Sequence, residues 1–336
     1  MRGAVSYYLV RGEIRNNTAK GLDYGGGGAI YAVESRLQMF SGELKNNTVA
    51  DAAGGVFIRD NSTFILSGGD VSDNQSSANG GGVFVYYSST FEMKGGTVSG
   101  NTAVKNCGGV YVNSFSKFIF RNGVISGNSS SGSGGVYLTD NSIFEMTGGS
   151  ISQNTANANG GGVCAYGGNI KMTGGEITGN TANSAGGGVY VYGSTFEMTG
   201  GEISFNTVQT DGGGIYVYAN SSFLMTGGQI LYNLANWGGG AYINVNSYFV
   251  MTGGEISQNT ANSNGGGVFV IQNSAFVITG GAVTNNNAKD VGGGVYIHSN
   301  AGNSFTMFGG EVRRGGQKPA APRAPAKAGA PSFTLV

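Results

Sequence analysis

The chain has 336 residues, 65 of them glycine, with 18 basic and 18 acidic residues and a formal net charge of zero. So neutral and sparsely charged a chain lacks the basic footprint that nucleic acid needs and the polybasic signal that anionic lipid needs. It has no apolar run near the ~18 residues that span a bilayer, and its start, MRGAVSYYLVRGEIRNNTA, has no apolar stretch ahead of a small-residue cleavage site.

From about residue 10 to about 312 one unit repeats. The apolar residue after each glycine-rich turn falls at Ile30, Val56, Val83, Val110, Val136, Val163, Val189, Ile215, Ala241, Val268 and Val295, in steps of 26 or 27. A late asparagine falls at Asn17, Asn47, Asn74, Asn101, Asn128, Asn154, Asn180, Asn206, Asn233, Asn259 and Asn286, in the same steps after a first step of 30. Inside a unit the period is two, which means strands. In GGGVYVYGSTFEMTGGEISFNTVQTD, residues 186–211, aliphatics alternate with aromatics in Val189-Tyr190-Val191-Tyr192. Apolar and polar residues alternate in Phe196-Glu197-Met198-Thr199, and Ile203 opens a third short strand between Gly201 and Asn206. Turns rich in Gly, Asn, Ser and Thr separate them.

Three short strands per unit bury their apolar faces only by coiling, and stacked coils then share one core. The pattern predicts an all-β, right-handed parallel β-helix of about eleven coils, roughly 50 Å long at ~4.8 Å per coil. The domain is expected over 1–312, with an incomplete first coil. All four prolines lie in the last eighteen residues, and from Arg313 on there are five basic residues and no acidic one, so 313–336 reads as a disordered Pro/Ala-rich tail. The uncapped start suggests a piece of a longer protein, whose open end coils would favour end-to-end or lateral self-association.

The internal columns have plain structural readings. The second strand carries Phe in nine of eleven coils, and eight of the nine methionines share one column, a core filler. Asn101, Asn128, Asn154, Asn180, Asn206, Asn233, Asn259 and Asn286 are expected to stack as an amide ladder, with a ligand row as the alternative. The glycine turns carry neither the Lys-Ser/Thr of a phosphate loop nor the Asp of a calcium-binding nonapeptide. A threonine column, from Thr18 to Thr260, is too interrupted for an ice-binding array.

The aromatic column is the leading binding candidate. Alternation with the aliphatics points Tyr111, Tyr137, Tyr190, Tyr216, Tyr242, Phe269 and Tyr296 away from the core, with Tyr192 and Tyr218 beside them. These rings either stack to stabilise the sheet or form an exposed stripe that binds a glycan or a protein. Glu176 and Glu202, on adjacent coils, are the paired carboxylates a glycosidase would need, but near-constant loop lengths leave little material for a pocket. His298 is the only histidine, so no multi-histidine metal site is expected, nor any cofactor. Cys107 and Cys164, two coils apart, are beyond disulfide reach.

At GGAIYA, residues 27–32, and SGNTA, residues 99–103, the chain resembles the chlamydial polymorphic outer-membrane proteins and related adhesin-like autotransporter passengers. Their GGA-[ILV] motif is literal once, at Gly27–Ile30, and their FxxN motif takes aliphatic form, as in Ile203-x-x-Asn206 and Ile177-x-x-Asn180. The resemblance implies secretion, display on the bacterial outer surface and adhesion to a host or bacterial glycan or protein. The resulting expectation is a non-enzymatic adhesin or display scaffold. A polysaccharide lyase or hydrolase and an inert spacer are the alternatives.

Overall fold

A computed structural model describes residues 5–20, 26–299 and 302–313, and they contain strands and turns but no helix. The segment from 314 onward, including most of the Pro/Ala-rich tail, lies outside the described residues. The strands form four long parallel sheets of 12, 11, 12 and 11 strands, plus one two-stranded sheet. Every pairing joins one coil to the next in register, so Val189 meets Ile215 and Phe196 meets Phe223. This is the expected parallel solenoid of about eleven coils.

One coil shows why the residues fold this way. Its first strand, Val189–Tyr192, turns Val189 and Val191 inward, and its second, Thr195–Met198, does the same with Phe196 and Met198. The third, Glu202–Ser204, supplies Ile203. A fourth strand of two residues, Thr207–Val208, was not read from the sequence because two residues carry no periodicity. Its inward side chains form a separate small cluster of Ala156, Ala182, Val208 and Ala235. The main core is one continuous lumen of aliphatics, phenylalanines and methionines. Successive inner rings, such as Phe223 and Phe249, stack at 4.5 Å and 24°, a geometry the coil spacing imposes.

The lumen is bounded by two polar ladders. Asn180 donates to the Asn206 side-chain oxygen from both its backbone N–H (2.9 Å) and its amide Nδ2 (3.0 Å). Asn206 repeats this toward Asn233 and gives its second amide hydrogen back to the Ile177 carbonyl at 2.8 Å. From Asn47 to Asn259 these residues are fully buried. A serine ladder, unread from the sequence, holds the turn between first and second strands. There the Ser194 N–H donates to Ser221 Oγ at 3.1 Å, and the Ser221 N–H to Ser247 Oγ at 3.2 Å.

The glycines follow from close approach. A Cβ on Gly187 would lie 2.7 Å from the Thr207 carbonyl oxygen, and one on Gly188 2.8 Å from the Asn206 amide nitrogen. The glycine run therefore threads between the next coil and the fourth strand of its own, where no side chain fits.

Two outcomes are expected. Asn206→Ala removes the acceptor of Asn180 and the donor to Ile177, leaving buried polar groups unpaired, and should cost about 3 kcal/mol or more in urea unfolding. Gly188→Ala should cost on the order of 1–3 kcal/mol by overpacking, and Gly179→Ala, whose Cβ meets open space but whose φ is +64°, should cost about 1–2 kcal/mol from backbone strain alone.

Candidate functional site

The outward face of the first-strand sheet carries the aromatic column, and here the structure corrects the expected exposed stripe. Tyr111, Tyr190, Tyr216, Tyr242 and Phe269 are buried, between 4% and 7% exposed. Tyr137, Tyr192, Tyr218 and Tyr296 are half-buried. The rings do point away from the lumen. They are covered by the residues just before each glycine run, such as Ala185, which clusters with the rings of the Tyr190 stack, and Cys107, which clusters with Phe84 and Tyr111. Burial follows from the threading of the glycine run, which lays that segment across the sheet. Strand alternation reports which way a side chain points, not what folds over it.

The column is two stacks with a gap at Cys164. Phe57, Phe84, Tyr111 and Tyr137 stack at centroid distances of 4.8, 4.6 and 5.2 Å, and Tyr190, Tyr216, Tyr242 and Phe269 at 5.4, 5.1 and 4.8 Å. Such pairs contribute roughly 0.5–1.5 kcal/mol each beyond area burial, so the stack has a structural role whatever else it does. Two hydroxyls find partners, Tyr111 with Asn113 and Tyr216 with Asn244, both at 2.8 Å. Desolvation pushes the Tyr216 hydroxyl up to about 12, and burial likewise raises Tyr111, Tyr137, Tyr190 and Tyr242. Both cysteines are buried and free. Burial raises both thiols, Cys107 to about 12, so neither is a ready nucleophile.

Asp211 lies among these rings. Burial lifts its carboxyl from the ordinary 3.8 to about 6, and its Oδ1 is buried with no hydrogen-bond partner. Its covering position recurs as Ala185 one coil earlier and Trp237 one coil later.

The structure leaves other aromatic groups in solvent. Phe205 and Tyr232, each just before a ladder asparagine, are 56% and 44% exposed and stack at 4.8 Å and 3°. Both have positive φ, 54° and 56°, a region unfavourable to bulky residues, where other coils place Asn, Asp, Gln or Gly. In the same coil as Tyr232, Leu231, Leu234 and Trp237 also face outward, at positions that are Ser204, Thr207 and Asp211 one coil before. The sequence carries a signal for this patch, QILYNLANW against EISFNTVQTD, but it falls on turn and outward residues that no periodicity marks.

Glu176 and Glu202 are direct neighbours on adjacent third strands. With Gln229 and the glycines Gly175, Gly200, Gly201 and Gly228 they line a shallow groove of about 510 Å³. The ladder asparagines, from Asn101 through Asn259, are fully buried with their amides engaged between coils, and Asn286 continues the line. His298 is half-buried beside Tyr296.

The pH dependence of stability should report Asp211. A carboxyl raised on folding contributes stability below its unfolded value and loses it as pH rises through about 6. Asp211→Asn should therefore leave the melting temperature unchanged near pH 4 and raise stability at pH 7 by ~1–2 kcal/mol, the effect being reduced by partial solvent exposure.

The solenoid is also what comparison with known proteins recognises. Two overlapping stretches, residues 3–174 and 135–307, match the family model described as a right handed beta helix region. No curated protein matches, nor does any solved structure. The family match runs through the same coils whose in-register sheets, buried amide ladder and lumen are described above, and the chain belongs to the right-handed β-helix family.

Proposed function

We propose that this chain is a rigid rod displaying a recognition face, an adhesin or display scaffold of a bacterial surface or secreted protein, as its resemblance to adhesin-like passengers implies. The observation that carries this reading is the coil at 212–237. It keeps every inward residue of the repeat and changes its outward ones to Leu231, Tyr232, Leu234 and Trp237, next to Phe205. Five apolar side chains on the outer surface add nothing to the lumen, and two occupy strained backbone, a combination characteristic of binding surfaces. The partner that fits is a glycan or protein with an apolar face. The regular coils serve to hold this patch at a fixed place along the rod.

The double variant Phe205→Asn/Tyr232→Asn is the test. Asparagine suits the left-handed backbone at both sites, so the fold should melt within about 1 kcal/mol of the original, the lost ring stacking being offset by relieved strain. Labelled protein would be applied to a glycan array and to immobilised extracellular-matrix proteins. Binding by the wild type that falls tenfold or more in the variant supports the reading. Equal binding by both moves recognition elsewhere, and no binding by the wild type leaves an inert spacer.

A further inference from the structure

A second place departs from the repeat, on coils near the other end of the rod. At the exit of the first strand, Arg59 stands in a column whose neighbours are Val33 on one side and Tyr86, then Asn113, on the other. Its guanidinium is held on three sides. It donates to Asp60 from Nε at 2.8 Å and from Nη2 at 3.4 Å, it lies 5.7 Å from the centroid of the Tyr86 ring, and the Tyr31 hydroxyl lies within reach. At most three of its five N–H groups are engaged by these partners. Beside it is a cleft of about 600 Å³, within the roughly 300–1,000 Å³ typical of small-ligand sites.

The cleft mixes ring faces with hydrogen-bonding groups of both kinds. Tyr86 is half-buried and Tyr87 is 56% exposed, their rings tilted by 55° with centroids 5.7 Å apart. The buried rings of Phe84 and Tyr111 lie at its base. Asp51, exposed at the rim, receives the Ala52 N–H on one oxygen and keeps the other for a ligand. Asn79 accepts from Asn106 at 2.6 Å, which leaves its own amide hydrogens to donate. Tyr87 adopts φ of 52°, so here too an aromatic ring occupies backbone that favours Asn or Gly.

We infer that this cleft is a binding site for a neutral oligosaccharide. Sugar rings offer apolar faces to Tyr86 and Tyr87, and their hydroxyls, donors and acceptors alike, match Asp51, Asn79 and the free edge of Arg59. The sign of the charge selects among sugars. Asp51 and Asp60 outweigh Arg59, whose charge is already matched by Asp60, so the formal balance is one negative charge. A polyanionic chain would meet Asp51 with no unpaired cation to compensate. The inference goes beyond the display reading, because this cleft lies four to five coils, ~20–25 Å along the axis, from Phe205 and Tyr232.

The test is titration calorimetry of the intact chain with four hexasaccharides: cellohexaose, maltohexaose, hexa-N-acetylchitohexaose and hexagalacturonate. The variants are Tyr87→Asn, which keeps the favoured backbone, and Asp51→Asn, which keeps the shape of the rim. Circular dichroism melts establish that both fold. The expected result is binding of at least one neutral probe, weakened tenfold or more in each variant and changed less than twofold between 50 and 500 mM salt. Phe205→Asn/Tyr232→Asn should leave this binding untouched, which separates it from recognition at the apolar patch. Hexagalacturonate binding as tightly as the best neutral probe would overturn the inference. So would the absence of binding by all three neutral probes, or affinity that survives both variants.

Discussion

The buried asparagine ladder is the constraint on which the rest of this molecule depends. Each rung takes two hydrogen bonds from the coil before it, as Asn206 does from Asn180, and returns an amide hydrogen to the Ile177 carbonyl. In a parallel sheet a slip of one residue would turn every inward side chain outward. A buried amide that lost its neighbour would leave unpaired groups costing roughly 1–3 kcal/mol each. The ladder therefore holds register where apolar packing alone, which is non-directional, would tolerate error. The phenylalanine stack, the methionine column and the aromatic face all inherit their alignment from it.

The same inter-coil spacing dictates where glycine must stand. Because the run at 186–188 passes within contact of Thr207 and of Asn206, side chains are excluded there and the preceding segment folds over the first-strand sheet. The outcome is a rod with two apolar layers, an inner lumen and an outer layer of rings beneath Ala185, Asp211 and their counterparts. An aromatic column that looks from the sequence like a binding surface is thereby spent on stability. On the proposed readings, recognition falls to places where single coils depart from the repeat, as Leu231, Tyr232, Leu234 and Trp237 do, and as Arg59 does.

This separation of roles has a physical basis in repeat proteins. A coil contacts only its neighbours, so stability is close to a sum of nearest-neighbour terms. Outward residues can then vary one coil at a time with little effect on the lumen. The strained Phe205 and Tyr232 sit at a left-handed backbone position where the other coils place Asn, Asp, Gln or Gly, and Tyr87 sits at a second such position, which other coils fill with residues from Asp60 and Ser114 to Ala219 and Val245. Their strain is local, confined to the turn that bears them.

The sequence by itself determined the solenoid, because a period of two inside a period of 26 or 27 has one economical solution: strands that stack in register around a shared core. The lumen residues, the ladder position and the number of coils are all legible in those columns. The fourth strand and the serine ladder were not, since two residues carry no periodicity and a lone serine in a turn has several readings. Only the tertiary structure decided the fate of the outward residues. Alternation states that Tyr190 and Tyr216 leave the lumen, but their burial depends on a segment that crosses them from the preceding turn. Likewise, the cleft beside Arg59 unites residues of four successive coils, from Asp51 to Tyr111, an adjacency that arises from stacking and has no local trace in the chain.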